Sequence, residues 1–383
     1  FGSSAVAFGS RPQQDSSTQR ALSKVGGVLM MRVAAIFVLG LIQVDCQFDP
    51  KDISSHHDFP KFADFIKTHR GGLGYSSEIE TIGRFSIFLT NLRLAEERNT
   101  RAALNAKPGL KKETHGITQF MDLTPQEFSA KYKGLIPSKH KKATTMHPNA
   151  ANTSAIAKSI DWNAKGALTP IKNQGQCGSC WAFSATEQLE SQFFQKYGTL
   201  KALAPQQVVS CDTTCLGCNG GNPIEAWGYL YGFGGQEPSG DYPYTSGVTG
   251  QTGTCSSDAA EVVEDVGQTY TMIASQPSQE SNMLAQIQDS PMSVCVDAQL
   301  WQTYTGGVIT ASSGCGTQID HAVQATGYNA EGNYWIVRNS WGETWGENGF
   351  VWVEYGANVC GITTQATTVS VEKIAERKKN VVV

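Results

Sequence analysis

Histidine is nearly absent from this chain beyond residue 147. Of seven histidines in 383 residues, six lie at positions 56, 57, 69, 115, 140 and 147, and only His321 follows them. Imidazole chemistry in the rest of the chain therefore falls to one side chain. Cysteine has the reverse distribution: none occurs between residues 50 and 150, and nine of the ten lie from Cys177 onward. The earlier region must hold together without disulfides, while the cysteine count points to an oxidising compartment. The apolar run Val33 to Ile42 is ten residues long, too short for a membrane span, which takes about 20. With 40% hydrophobic and 17% charged residues, the composition is that of globular material, enough for two or three domains.

Among the residues present, Cys180 stands out. It lies in Gln174-Gly-Gln-Cys177-Gly-Ser-Cys180-Trp-Ala-Phe183, where glycine and serine suit a tight entry into a helix. Trp181 to Tyr197 then carries Phe183, Leu189, Phe193 and Phe194 at helical spacing. A thiol at a helix N-terminus feels the positive end of the helix dipole, and beside an imidazolium it becomes a reactive thiolate. Cys180 with His321 reads as the nucleophile and base of a cysteine hydrolase. Asn339, in Tyr334-Trp-Ile-Val-Arg-Asn-Ser-Trp-Gly342, offers an amide carbonyl that would accept the imidazole N–H and fix its tautomer, with Trp341 shielding that bond. Gln174, six residues before the nucleophile, is placed to donate its side-chain NH₂ to a developing oxyanion.

Cys177-Gly-Ser-Cys180 and Cys215-Leu-Gly-Cys218 also form two C-x-x-C pairs, as a redox site or a four-thiolate zinc site would. Zinc ribbons of this kind separate their pairs by about 15–20 residues, and here the gap is 34. Neither alternative gives Gln174, His321 or Asn339 a role.

At these residues the chain resembles the papain-like cysteine peptidases, whose signature surrounds the nucleophile. His321 follows Cys180 by 141 residues and Asn339 follows it by 159, close to the order and distances of that family. The resemblance implies a two-lobed α+β fold: a helical lobe over about 160–265, a barrel-like β lobe over about 266–370, and a cleft between them for an extended peptide. It implies disulfides joining Cys177 to Cys218, Cys211 to Cys255 and Cys315 to Cys360, and leaves Cys215 and Cys295 as free thiols or a fourth bridge. It implies that Gly220 and Gly221 bind substrate backbone. Asn222, Pro223, Cys295, Ile319, Ala322 and, at the base, Gln365 would line the pocket for the residue two before the scissile bond. That lining favours hydrophobic side chains, while the Gln365 amide leaves arginine as an option. Endopeptidase action through a thioester acyl-enzyme follows, with no metal or organic cofactor; a papain-like binding protein with an unused active site is the alternative.

Between about 50 and 155 lies a lysine- and histidine-rich helical region. Glu80, Arg84, Phe88, Asn91 and Asn99 fall at three- and four-residue steps and share one helix face. This spacing resembles the interrupted helix motif of the family's inhibitory propeptides, with Ala95 where isoleucine is usual. Gly116-Ile-Thr-Gln-Phe-Met-Asp122 resembles the second propeptide motif through Gly116, Phe120 and Asp122, with Thr118 at a position often held by asparagine. Together they imply a zymogen with its enzyme domain over residues 156–370, starting a few residues before Ile160-Asp-Trp162. Cleavage is expected between Lys142 and Ser159, a stretch that includes the sequon at Asn152.

Met31-Arg32 followed by the apolar run and ending near Cys46 reads as a signal peptide over 31–46. Residues 1–30, low in complexity, read as upstream read-through or a disordered segment, and 371–383 as a solvated tail. Delivery through the secretory pathway follows, to the outside or to a lysosome or vacuole. The expected partners are protein and peptide substrates and the chain's own propeptide, with no nucleic acid, no membrane, and the protein as a monomer. Before residue 160 there are 21 Lys and Arg against 13 Asp and Glu, and from there on 9 against 21, net +8 and −12. Prosegment and enzyme should attract each other. Protonating the prosegment histidines strengthens that attraction, so release in acid is expected from carboxylates, roughly between pH 4 and 5.

Overall fold

In the computed structural model, residues 53–139, 145–146, 158–258, 262 and 266–371 are described. The expected signal peptide, the sequon at Asn152, most of the cleavage segment and the tail beyond residue 371 lie outside them. Contacts group residues 48–383 into one compact unit. No helix among the described residues is long and apolar enough to cross a membrane.

The prosegment contributes α1 (Phe59–His69), α2 (Glu78–Leu104), the short strand β1 (Thr114–His115), α3 (Pro125–Tyr132) and β2 (Thr145–Met146). Two of its helices, α2 and α3, start where the sequence supplies caps. Ser77 accepts the Glu80 N–H, and Thr124 and Glu127 form a reciprocal capping box ahead of Pro125. Without cysteine, this region closes on aromatics: Phe62, Phe65, Phe85, Phe88, Leu89 and Met121 form its own buried cluster.

In the enzyme domain, β3 (Ile160–Asp161) leads to four helices: α4 (Cys180–Tyr197), α5 (Pro205–Cys211), α6 (Pro223–Phe233) and α7 (Ser246–Thr249). Then come β4 (Val266–Ala274), α8 (Glu280–Asp289), β5 (Met292–Val296), β6 (Tyr304–Gly306), β7 (Val308–Ile309), β8 (His321–Asn329), β9 (Tyr334–Arg338), β10 (Phe350–Glu354) and β11 (Ala366–Val371). The main sheet runs β2-β4-β11-β5-β8-β9-β10-β7, with β3 beside β8, and β1 pairs with β6 alone. Helices give way to strands near residue 266, but the ends of the domain are exchanged between its halves. Ile160, Trp162 and Leu168 pack in the β-side core, and Val369 and Val371 pack against the helices, because the two ends of the domain cross to the opposite half.

Helix α4 positions the site. Its apolar residues face the helical core, but Ser184, Gln188 and Ser191 on its other side are also fully buried, between the two halves. They are satisfied across the junction: Ser184 Oγ donates to the Val323 carbonyl at 2.7 Å, and Gln188 Nε2 to the Pro291 carbonyl at 2.9 Å. This pins the start of α4 against β8. Disulfides join Cys177 to Cys218, Cys211 to Cys255 and Cys315 to Cys360, and Cys180, Cys215 and Cys295 are free thiols.

Candidate active site

Cys180 is the first residue of α4 and His321 the first of β8. Register places Val296 of β5 opposite His321 and Cys295 opposite Ala322, and pairs β8 with β9, which ends one residue before Asn339. Three residues far apart in sequence thus meet at one end of the sheet and one end of the helix. His321 Nε2 and Asn339 Oδ1 are 2.8 Å apart, and the imidazole stacks on the Trp341 ring with centroids 4.7 Å apart. His321 Nδ1 is buried without a hydrogen-bond partner among the described residues. With Nε2–H donated to Asn339, that nitrogen is left to take a proton.

Gln174 is held by four bonds, one of them from the Tyr244 hydroxyl to its carbonyl at 2.9 Å. Its backbone N–H donates to the Ser340 carbonyl, Ser340 Oγ donates to its Oε1 at 2.7 Å, and its Nε2 donates to the Cys177 carbonyl at 2.9 Å. One amide hydrogen is thereby engaged and the second is left. Ser340, which orients this amide, carries no signal in the sequence beyond its place between Asn339 and Trp341.

Cys180, His321, Asn339, Gln174 and Trp341 are all fully buried, because the prosegment lies across them. Gly134 N and Leu135 N donate to the Asp320 carbonyl, Ile136 N donates to the Gly221 carbonyl at 2.8 Å, and Gly221 N donates to the Gly134 carbonyl at 2.9 Å. At Gly134, φ is +140°, and a Cβ there would overlap the Gly178 carbonyl. Only glycine passes the Gly178 backbone, two residues before Cys180, this closely. On one side of it Lys133, with 1% of its side chain exposed, pairs its ammonium with Asp320 Oδ2 at 2.5 Å. On the other side Leu135 packs against the buried cluster of Cys180, Cys295 and Ala322, as Ile319 also does. Lys133, Leu135 and Asp320 went unassigned in the sequence, whose one hint of a close approach was Gly134.

Burial sets the protonation of this covered site. It pushes the Cys180 thiol up to about 12, against backbone hydrogen bonds from Ala322 and Trp181. It pulls His321 down to about 3, opposed by the bond to Asn339 and helped by the charge of Lys133. The covered pair is a thiol and a neutral imidazole.

The expected pocket residues divide. Cys295 and Ala322 belong to the cluster against which Leu135 and Ile319 both pack. Asn222 and Gln365 close on each other as a reciprocal amide pair, Gln365 Nε2 donating to Asn222 Oδ1 at 2.9 Å and Asn222 Nδ2 to Gln365 Oε1 at 3.2 Å. Gly220 and Pro223 flank this pair, Gly220 beside Ile136 and Pro223 at the start of α6.

The prosegment motif residues act as a brace. Arg84 donates to the Asp122 carbonyl and the Glu127 carboxylate, Asn91 to the carbonyls of Met121 and Leu123, and Asn99 to the His115 carbonyl. Phe88 is fully buried beneath them. Glu80 does not join this brace: its carboxylate accepts from Ser76, and it lies 4.0 Å from Arg84. In the second motif Gly116 N and Thr118 Oγ1 donate to the carbonyls of Thr303 and Gln302. Phe120 packs edge-on to Trp341 at 5.1 Å, and Asp122 accepts from Arg70 and Tyr75.

Comparison with known proteins agrees with this geometry. The papain family cysteine protease profile matches residues 156–370, and that of the cathepsin propeptide inhibitor domain matches residues 62–128. The chain is 37% identical over 335 residues to cysteine proteinase 1 of Zea mays, covering 81% of this chain and 85% of the relative. It is 34% identical over 362 residues to cysteine proteinase 1 of Dictyostelium discoideum, covering 88% and 99%. Among solved structures it resembles digestive procathepsin L2 proteinase from Tenebrio molitor larval midgut, with a TM-score of 0.70, 34% identity and coverage of 82% and 99%. It also resembles a recombinant stem bromelain precursor, with a TM-score of 0.69, 32% identity and the same coverage. The chain belongs to the papain family of cysteine proteases, as a zymogen whose own cathepsin-type inhibitory propeptide lies across the active site.

Proposed function

We propose that His321 Nδ1 takes the Cys180 proton and the resulting thiolate attacks the scissile carbonyl, giving a tetrahedral oxyanion held by the Cys180 backbone N–H and the second hydrogen of Gln174 Nε2. His321 then protonates the leaving amine, and the thioester is hydrolysed by water that His321 deprotonates. Asn339 keeps the imidazole in the productive tautomer. Once the prosegment leaves, water reaches the cleft and the desolvation that holds the pair neutral is relieved, so the thiolate and imidazolium form.

The reading of the specificity pocket rests on Leu135. An aliphatic side chain of the prosegment packs on Cys295 and Ala322, as Ile319 also does, in a site that includes the reciprocal Asn222–Gln365 amide pair. A substrate leucine would replace it at no hydrogen-bonding cost, whereas an arginine would bury its charge where the expected pocket residues include amides but no carboxylate. Aliphatic and other hydrophobic residues are therefore preferred two positions before the scissile bond. Three disulfides suit folding in the secretory pathway, with secretion or delivery to a lysosome or vacuole as the destination, and action as a monomer on protein and peptide substrates.

The test is hydrolysis of fluorogenic dipeptide amides by acid-processed enzyme beside a Cys180→Ala variant. Thiol-dependent turnover with leucine well ahead of arginine supports the reading. Absence of turnover after confirmed prosegment removal would favour the silent binding protein, and a requirement for arginine would overturn the pocket assignment.

A further inference from the structure

The prosegment does more than cross the cleft. It adds a strand to the enzyme: β6 belongs to no other sheet among the described residues, and its ladder partner is β1, with Thr114 opposite Gly306 and His115 opposite Tyr304. The contact extends along the chain. Val308 N donates to the Lys111 carbonyl at 3.0 Å, and Gly116 N donates to the Thr303 carbonyl at 2.9 Å. At Gly307, where φ is +76°, a Cβ would overlap the Lys112 carbonyl, so this edge is shaped for another backbone to lie against it.

Charge follows the same line. Lys111 Nζ meets Glu347 Oε1 at 2.6 Å and lies 5.1 Å from the centre of the Trp352 ring, and Lys107 pairs with Glu354. Both carboxylates are also fixed by the enzyme's own backbone, Glu347 by Gly307 N and Glu354 by Ala311 N. They are held in place whether or not the lysines are present. Removing the prosegment thus uncovers an unpaired strand edge flanked by two anchored carboxylates, in a stretch, residues 160–383, that carries net −12. An open edge is a template for an extended chain, and carboxylates beside it select the sign of that chain's charge.

We infer that in the processed enzyme the β6 edge with Glu347 and Glu354 is an exosite for a lysine-bearing extended segment of a protein substrate, outside the residues held in the cleft. This rests on the peptidase reading and goes beyond it.

The test uses acid-processed enzyme and two quenched peptides with the same residues around the scissile bond. One carries a tail with lysines at the spacing of Lys107, Lys111 and Lys112 ahead of a strand-forming run, and the other has glutamine at those places. The lysine tail should lower KM about three- to tenfold, from two partly exposed ion pairs, with kcat unchanged, and the advantage should vanish at high salt. In a Glu347→Gln, Glu354→Gln variant, which keeps an acceptor oxygen for Gly307 and Ala311, the two tails should become equal while dipeptide amide turnover stays as in the parent. Equal KM for both tails in the parent, or an advantage that survives the variant or 0.5 M salt, overturns the exosite. Should the variant fail to fold, the salt series on the parent decides the matter alone. Loss of dipeptide turnover by the parent would instead indict the peptidase reading.

Discussion

Replacing Lys133 by methionine should make the zymogen leak. The ammonium is buried to 1% exposure against an Asp320 carboxylate that keeps 25%, and Asp320 Oδ1 also accepts from Ala298 N at 2.9 Å. Removing one partner of a fully buried pair costs about 3–5 kcal/mol. With a quarter of Asp320 in solvent and one hydrogen bond retained, the loss from prosegment docking is about 1–3 kcal/mol, a roughly 5- to 150-fold rise in the undocked fraction. Initial hydrolysis of a dipeptide amide by intact zymogen at neutral pH, before processing, reads that fraction directly, with Cys180→Ala as the blank. Lys133→Arg, which keeps the charge, should change the leak much less. Because the Lys133 charge also opposes the imidazolium, the NMR titration of His321 in the docked Lys133→Met protein should move upward. A leak in Lys133→Met within twofold of the parent refutes the argument. Acid acts elsewhere: burial raises the Asp320 carboxyl from its ordinary value, so the docked form takes this proton more readily than the open form, and falling pH does not weaken docking through Asp320.

Acid should loosen the prosegment through Glu127, whose bond to Arg84 holds its carboxyl down to about 2. Stability from that pair is present above the ordinary value near 4.5 and is lost as pH falls toward 2, so near-UV circular dichroism of the Cys180→Ala zymogen should show loss across that window, flattened in Arg84→Gln. His69 opposes the expectation that histidine protonation only strengthens the prosegment's hold: burial lowers its pKa. It should cost stability as pH falls from about 6.5, and His69→Gln should remove that slope in the same assay. Gln174→Ala should lower kcat about 100- to 1,000-fold with little change in KM, measured by steady-state kinetics with thermal melting as the folding control. Gln365→Glu should raise turnover of arginine at the second position before the scissile bond relative to leucine, and an unchanged ratio would count against the pocket floor described above. Loss of the Cys315–Cys360 bridge, which closes a separation of 45 residues, should lower stability by about 2–4 kcal/mol in urea denaturation.

Much of this protein is legible in short stretches. The helix from Cys180, the strand Met292–Val296 and the α2 motif residues follow from local periodicity and caps, because a helix or strand forms from interactions a few residues apart. The histidine count alone left His321 as the imidazole for Cys180. What the local pattern could not give is register and closure. Glu80 shares the motif spacing but not the brace, since only folding decides which residues of that face meet the 116–127 segment. The lobes exchange their ends because β3 and β11 find partners far along the chain.

The sequence by itself determined which side chains were available: one thiol at a helix start, one imidazole, an amide between tryptophans, and a basic prosegment ahead of an acidic domain. Tertiary structure alone decided that Lys133, Gly134 and Leu135 fill the cleft, that Asn222 and Gln365 satisfy each other, and that β6 has its partner in the prosegment. Those contacts join residues dozens to hundreds of positions apart, and their energies depend on burial and backbone approach, which no local pattern encodes.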